Sequence, residues 1–135
     1  MQISTRNVGS ATIVDIVGDI TLFNSPQVRK VLLEELKEKR VPQLLVNMKS
    51  VRYIDSSGVA SLVEGLKASR DRNARLVLYG LSKMAREVLE LTRLNTVFEI
   101  RETEEQALAP GAVGAEGRET PIEGQAGGVA AAGAS

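Results

Sequence analysis

Two adjacent serines are the side chains of this sequence best placed to do chemistry. They belong to the segment Asp55-Ser56-Ser57-Gly58, which lies between a strand-like run and an amphipathic run. A helix start offers free backbone N–H groups and the positive end of the helix dipole, both of which stabilise a phosphate. Gly58 removes a side chain beside the hydroxyls, so a partner's active site could approach closely. The segment could therefore hold a phosphate on one of its serines.

The same four residues also suit a purely structural role. Aspartate and serine are preferred helix N-caps, and a helix that follows a strand needs a cap. The segment is a poor nucleophile motif, because Gly-x-Ser-x-Gly is absent and the chain has no histidine to act as a base. From these residues alone, a phosphate acceptor and a helix cap both remain open.

Composition excludes several kinds of active site. The chain has 135 residues, 17 Lys+Arg, 17 Asp+Glu, and no His, Cys or Trp. Without His and Cys, one chain cannot form a Ser-His-Asp or Cys-His pair, a His/Cys zinc site or a disulfide. Zero net charge and four aromatic residues do not suit a nucleic-acid binder. We expect no cofactor, no metal site, no enzymatic activity and no nucleic-acid partner.

Hydropathy gives no sign of a membrane protein. No segment approaches the ~20 consecutive apolar residues that cross a bilayer. Residues 1–10 lack the apolar core of a signal peptide. We expect a cytoplasmic protein that does not contact a membrane.

The periodicity of apolar residues predicts the elements that carry the Asp55–Gly58 segment. Strands are predicted at 3–8, 11–17, 44–48, 75–79 and 97–100. Four helices are predicted, and their starts lie at Ser25-Pro26, near Val59, after Ser82 and after Thr103. Ser25 is interpreted as the N-cap of the first helix. In the third helix, Met84, Val88 and Leu91 are interpreted as the apolar face, with Met84 in the core.

This order of elements, ββαβαβα(βα), predicts the fold class. Strands that alternate with helices imply right-handed crossovers and parallel pairing, while the first two strands form an antiparallel hairpin. We expect an α/β domain with a mixed, mostly parallel sheet of four to five strands and about four helices, covering residues 1–109. Residues 110–135 contain seven glycines and seven alanines and are predicted to be a flexible tail.

The Asp55–Gly58 motif, the order of strands and helices and the length of the domain together resemble the STAS family. Within that family, the resemblance is to the bacterial anti-sigma factor antagonists. Residues 47–59 are similar to the central signature of that family almost throughout, and the resemblance extends over residues 1–108. Gly18-Asp19-Ile20-Thr21 resembles the family's Gly-Glu-Leu-Asp turn, except that Thr21 replaces the final acidic residue. The STAS fold is therefore what the resemblance implies.

For function, the resemblance implies a phosphorylation switch. Ser57 would be phosphorylated by a partner anti-sigma factor serine kinase that supplies ATP and Mg²⁺, with Ser56 as a secondary site. The unphosphorylated protein would bind the kinase and free a sigma factor; phosphorylation would end that binding, and a PP2C-type phosphatase would reset it. The expected motif and partner-binding residues are Asp55, Ser56, Ser57, Gly58, Thr21, Asn24 and Ser25. Turn and N-cap roles explain Thr21, Asn24 and Ser25 better than partner contact does. We expect a monomer outside these complexes.

A second function is open within the same family. Some STAS domains are subunits of ABC-type lipid-transport complexes or cytosolic parts of anion transporters. Because this chain has no membrane span, only the separate-subunit version applies to it. A transport subunit needs no acceptor serine, so the paired serines favour the switch.

Overall fold

The computed structural model describes residues 1–110. Its centre is a five-stranded sheet in the order β1-β2-β3-β4-β5. The strands are β1 Gln2–Val8, β2 Ala11–Val17, β3 Gln43–Ser50, β4 Arg75–Tyr79 and β5 Glu99–Arg101. Only β1 and β2 pair antiparallel; the other neighbours pair parallel. The mixed, mostly parallel sheet is confirmed, whereas the tail predicted for 110–135 lies outside the described residues from 111 onward.

Four helices connect or follow the strands. They are α1 Ser25–Leu33, which continues into a π-helical segment Glu34–Glu38, then α2 Ser56–Asp71, α3 Lys83–Leu91 and α4 Glu104–Leu108. Because α1, α2 and α3 each follow the carboxyl end of a strand, their N-termini lie along one edge of the sheet. We call this edge the carboxyl edge.

The sheet separates two apolar cores. Successive side chains of a strand point to opposite faces, so β3 sends Leu44 and Val46 to one side and Leu45 to the other. The larger core lies under α1, α2 and α3, and α4 contributes Ala107 to the smaller one. A central strand covered on both faces explains why β3 reads as an unbroken apolar run.

A polar network fastens α4 to the second face of the sheet. Arg6 on β1 bonds to Asp15 on β2 at 2.7 Å and to Glu104 on α4 at 2.6 Å. The Tyr79 hydroxyl donates to Glu104 at 2.9 Å. The Arg6 guanidinium holds the pKa of Asp15 and the pKa of Glu104 below their usual values. Burial, together with the bond to Glu104, raises the pKa of Tyr79.

The predicted face of α3 is wrong for Met84 and Leu91, whereas Val88 is half-buried and packs against the larger core as predicted. Met84 is 53% exposed and Leu91 is 84% exposed, whereas Ala85 and Leu89 are buried. The Ser82 side chain caps the helix by accepting from Ala85 N at 3.0 Å, and it donates to Arg52 O at 2.7 Å. These two bonds anchor the start of α3, and in this orientation the 85/89 row packs on the sheet.

Thr103-Glu-Glu-Gln106 matches the sequence pattern of a capping box, and the structure confirms Thr103 as the N-cap of α4 with one shift. Thr103 accepts from Gln106 N at 3.2 Å, as a capping box requires. The Gln106 side chain accepts from Glu102 N at 3.0 Å rather than from the N–H of Thr103 itself. The reciprocal bond therefore lies one residue before the cap.

Candidate functional site

Asp55 is the N-cap of α2. One carboxylate oxygen accepts from Gly58 N at 2.9 Å, and the other accepts from Leu22 N at 2.9 Å. The first bond satisfies a free N–H of the helix start, and the second holds the loop after β2 against that start. The cap interpretation is therefore correct for Asp55.

The two serines are not needed for this cap. Ser56 and Ser57 are the first two residues of α2, and within residues 1–110 neither hydroxyl has a hydrogen-bond partner. Ser56 is exposed and Ser57 is half-buried. Both hydroxyls thus lie at an accessible helix start without a structural role, which leaves them free for chemistry.

Gly58 faces the interior of the domain. A Cβ at this position would lie 2.6 Å from Ile54 Cγ1 and 2.8 Å from Ile20 Cγ2, both far inside contact distance. Ile20 and Ile54 also form a parallel bridge at the carboxyl edge. The expectation that Gly58 opens space for a partner is wrong, because the chain's own core fills that space. Glycine is required here so that α2 can begin close to this bridge.

The loop after β2 is held together by its own polar side chains. Asn24 accepts from Thr21 N at 2.8 Å and donates to Asp19 O at 2.8 Å, while Thr21 accepts from Phe23 N at 3.3 Å. Thr21 and Asn24 therefore serve the turn, as the alternative interpretation holds. Their role as partner contacts stays a prediction.

Ser25 is not the N-cap of α1, contrary to the sequence interpretation. Asn24 precedes the helix as the N-cap, and Ser25 is the first helical residue. Its backbone N–H already donates to Thr21 O at 2.7 Å, so the turn closes one residue earlier than the sequence suggested. Ser25 is 7% exposed, and its hydroxyl has no hydrogen-bond partner in the described part of the chain.

Exposed apolar side chains lie at the same edge of the sheet as the serines. Phe23 is 95% exposed, and its neighbour Leu22 is bonded through its N–H to Asp55. Tyr53 lies in the segment before α2, and Met84 lies in the first turn of α3. All four are large hydrophobic residues left exposed at or near the carboxyl edge, and we call them the apolar edge. Such groups are typical of protein-binding surfaces.

Sequence reasoning did not single out the apolar edge. A signal was available, because Leu22-Phe23 is an apolar pair inside a polar turn, where no strand or helix period requires it. Tyr53 carried a similar signal, whereas Met84 looked like a core residue.

A groove of about 380 Å³ runs between α1 and α2 and reaches Ser57. Ser25 and Arg29 line it from α1, and Ser57 and Glu64 line it from α2. The Ser61 hydroxyl joins the two helix starts, donating to Ser25 O at 2.9 Å and to Ser57 O at 3.2 Å. The structure therefore brings Ser25 and Ser57 together, as the site prediction required, and Ser56 does not line the groove.

Neither a metal site nor a membrane segment is found in the described region. Across residues 1–110, no three acidic side chains are grouped so that they could hold a metal ion. None of the helices in that range is both long enough and apolar enough to cross a membrane.

Comparisons with known proteins identify the family and the fold. The model of the STAS domain family matches residues 2–107. The anti-sigma-B factor antagonist of Listeria monocytogenes is 33% identical over 90 residues, which are 66% of this chain and 77% of that protein. A putative anti-sigma factor antagonist from Thermotoga maritima superposes with a TM-score of 0.74 at 21% identity, covering 78% of this chain and 91% of that one.

A third relative was solved in a modified state. The Bacillus cell fate determinant SpoIIAA in its phosphorylated form gives a TM-score of 0.63 at 19% identity, over 79% of this chain and 96% of that one. At such identities the solved structures show a shared fold. Since the family model spans nearly all of the described residues, the chain belongs to the STAS domain family.

Proposed function

We propose that this protein is an anti-sigma factor antagonist whose binding to an anti-sigma factor is switched off by phosphorylation of Ser57. The observation that carries the proposal is the Ser57 hydroxyl, which lies at the start of α2, has no hydrogen-bond partner among residues 1–110, and is at the same edge of the sheet as the apolar edge. The Listeria relative, an anti-sigma-B factor antagonist, supports the general role.

Ser57 is a better acceptor than Ser56 on two grounds. The resemblance to the family signature assigns the acceptor to the second serine, and Ser57 alone of the two lines the groove between α1 and α2. Ser56 is exposed on the solvent side of the helix start and serves as the secondary site.

The partner kinase supplies the chemistry in this scheme. The Ser57 oxygen attacks the γ-phosphorus of kinase-bound ATP, the hydroxyl proton passes to a base of the kinase, and ADP leaves with its Mg²⁺. A PP2C-type phosphatase then returns Ser57 to the hydroxyl form. The antagonist itself acts as a binding module in the cytoplasm, monomeric outside its complexes, and contributes no catalytic group.

The effect of phosphorylation follows from where the charge is placed. Phosphoserine carries about −1.5 to −2 charges at pH 7. When a partner covers the apolar edge, this dianion must lose water too, and an unpaired buried charge is costly. A penalty of ~3 kcal/mol would weaken binding about a hundredfold. In the free protein the helix N-terminus stabilises the phosphate, so the fold itself need not change.

Phosphate transfer tests the acceptor directly. The antagonist would be incubated with its cognate anti-sigma kinase, ATP and Mg²⁺, and modified peptides would be located by mass spectrometry. Wild type and Ser56→Ala should be phosphorylated, whereas Ser57→Ala should lose most of the signal. Undiminished phosphate in the double variant Ser56→Ala, Ser57→Ala would show that the acceptor lies elsewhere.

A further inference from the structure

The groove between α1 and α2 contains an ion pair with poor geometry. Arg29 Nε lies 3.8 Å from Glu64 Oε1, which is beyond hydrogen-bond distance. Both side chains are about half exposed, at 54% and 47%. Exposed pairs with such geometry contribute little to stability, so Arg29 is free to change partner.

Ser25 provides an independent indication of a ligand in this groove. It is 7% exposed, it lines the groove, and its hydroxyl has no hydrogen-bond partner among the described residues. Buried hydroxyl groups are normally hydrogen-bonded. Ser61, on the facing helix, shows the usual pattern, because its hydroxyl donates to Ser25 O and to Ser57 O. A free donor at Ser25 therefore calls for an acceptor inside the groove.

We propose that the groove receives the phosphoryl group of phosphorylated Ser57, with Arg29 leaving Glu64 to pair with it and the Ser25 hydroxyl donating to it. The proposal rests on the proposed function, because it requires Ser57 to be the modified residue. It adds a receiving site within the antagonist itself, in which Arg29 has no role assigned above and Ser25 gains a contact to the phosphate.

Helix geometry places these groups within reach of one another. α1 and α2 both begin at the carboxyl edge, and Ser61 fastens their first turns together. Arg29 is one turn beyond Ser25 and lies beside Glu64, in the groove that Ser57 also lines. Because helix side chains lean towards the N-terminus, its guanidinium can turn from Glu64 towards Ser57. The planar guanidinium matches two phosphate oxygens, and a dianion attracts it more strongly than the single charge of Glu64.

Pairing with Arg29 should change the titration of the phosphate. Phosphoserine has a second pKa near 6, and a neighbouring cation favours the dianion and lowers that pKa. Phosphoserine placed at position 57 of the full chain during translation, by suppression of a stop codon, makes the measurement independent of any kinase. The pH titration of its ³¹P resonance reports the pKa.

We expect the second pKa of the phosphate to depend on Arg29 and not on the other surface arginines. Arg29→Gln should raise the second pKa of the phosphate by about 0.3 to 0.5, the size expected for one partly exposed ion pair. Glu64→Gln should lower it, because Arg29 is released and a negative charge is removed. Arg70→Gln, at the exposed far end of α2, is the matched control and should leave the titration unchanged.

Two results would overturn the proposal. The first is a wild-type titration identical to that of Arg29→Gln, which would place the phosphate in solvent. The second is a phosphoserine at position 56 whose second pKa depends on Arg29 to the same extent. Since Ser56 does not line the groove, that result would show that the groove plays no part. Failure of a kinase to modify Ser57 would count against the proposed function instead, because the inserted phosphoserine is titrated without a kinase. Thermal melting of each variant confirms that it is folded.

Discussion

The carboxylate of Asp55 accepts the backbone N–H of Leu22 at 2.9 Å, across 33 residues of chain. The same side chain caps α2 through Gly58 N. One residue therefore fixes the start of the helix that carries Ser57 and the loop that presents Phe23. Ser57 and the exposed ring of Phe23 are therefore held on one edge of the sheet.

Replacing Asp55 should destabilise the protein. Asp55→Ala removes both bonds and should lower the free energy of unfolding by about 1–2 kcal/mol. Asp55→Asn should lose less, because its carbonyl oxygen can still accept from Gly58 N while its amide nitrogen cannot accept from Leu22. Urea denaturation monitored by circular dichroism measures both variants. Equal stability of wild type and Asp55→Ala would contradict the double role of this carboxylate.

Gly58→Ala should destabilise the protein even though alanine is the better helix former. Helix propensity alone predicts a gain of about 1 kcal/mol. The new Cβ would lie 2.6 Å from Ile54 Cγ1, and such overpacking typically costs about 1–3 kcal/mol. Ala60→Gly, at an exposed position of α2, is the matched control that reports propensity alone. A raised urea midpoint for Gly58→Ala would show that the helix start has room to shift.

Acid should weaken the network that fastens α4 to the sheet. Arg6 lowers the pKa of Asp15 and of Glu104 in the folded protein, so the unfolded chain binds more protons in acid. The stability from these carboxylates is complete above their unfolded pKa values and is lost as pH falls through the lowered folded values, below about pH 4.

The test is the urea midpoint measured from about pH 6 to about pH 3 for wild type and Arg6→Gln. The wild type should lose more stability over this range than the variant, which lacks the cation that lowers both pKa values. Parallel curves for the two proteins would mean that the network contributes nothing to the acid response. Because Arg6 is itself partly exposed, the difference should be modest.

Phe23→Ser should weaken partner binding without changing stability. The ring is 95% exposed, so little folding free energy depends on it, whereas a buried aromatic anchor at an interface often contributes more than 1 kcal/mol. Affinity for the cognate anti-sigma factor should fall about tenfold in a calorimetric titration. Leu91→Ser is the matched control, since Leu91 is exposed at the far end of α3. Equal losses for the two variants would contradict a role for the apolar edge.

The order of elements could be predicted because each strand and helix carries its own period. The Asp55 cap could also be predicted, since aspartate before an apolar run is a local signal of a helix N-cap. The orientation of α3 could not be predicted from the sequence. A helix of nine residues has several apolar rows, and the contact of Ser82 with Arg52 helps to set which row packs on the sheet. The phosphorylation proposed at Ser57 was expected from the resemblance and from residue type rather than from geometry.

Other features depend on contacts between distant parts of the chain. The sequence does not indicate in which direction a Cβ at a glycine would point. The packing of Gly58 on Ile20 and Ile54 therefore could not be predicted. The bond of Arg6 to Glu104 joins residues 98 positions apart. The Ser25 hydroxyl has no hydrogen-bond partner within residues 1–110 because of how α1 and α2 pack. No local sequence pattern predicts this.

The central claim is that charge at Ser57 decides whether the partner binds. A comparative pull-down from the native host, with wild type, Ser56→Asp and Ser57→Asp as baits, tests it most directly. We expect mass spectrometry to find an anti-sigma kinase on wild type, strongly reduced on Ser57→Asp and less affected on Ser56→Asp. Equal recovery of the same partners by wild type and Ser57→Asp, transporter subunits among them, would contradict the switch and leave Ser57 as an ordinary helix-start residue.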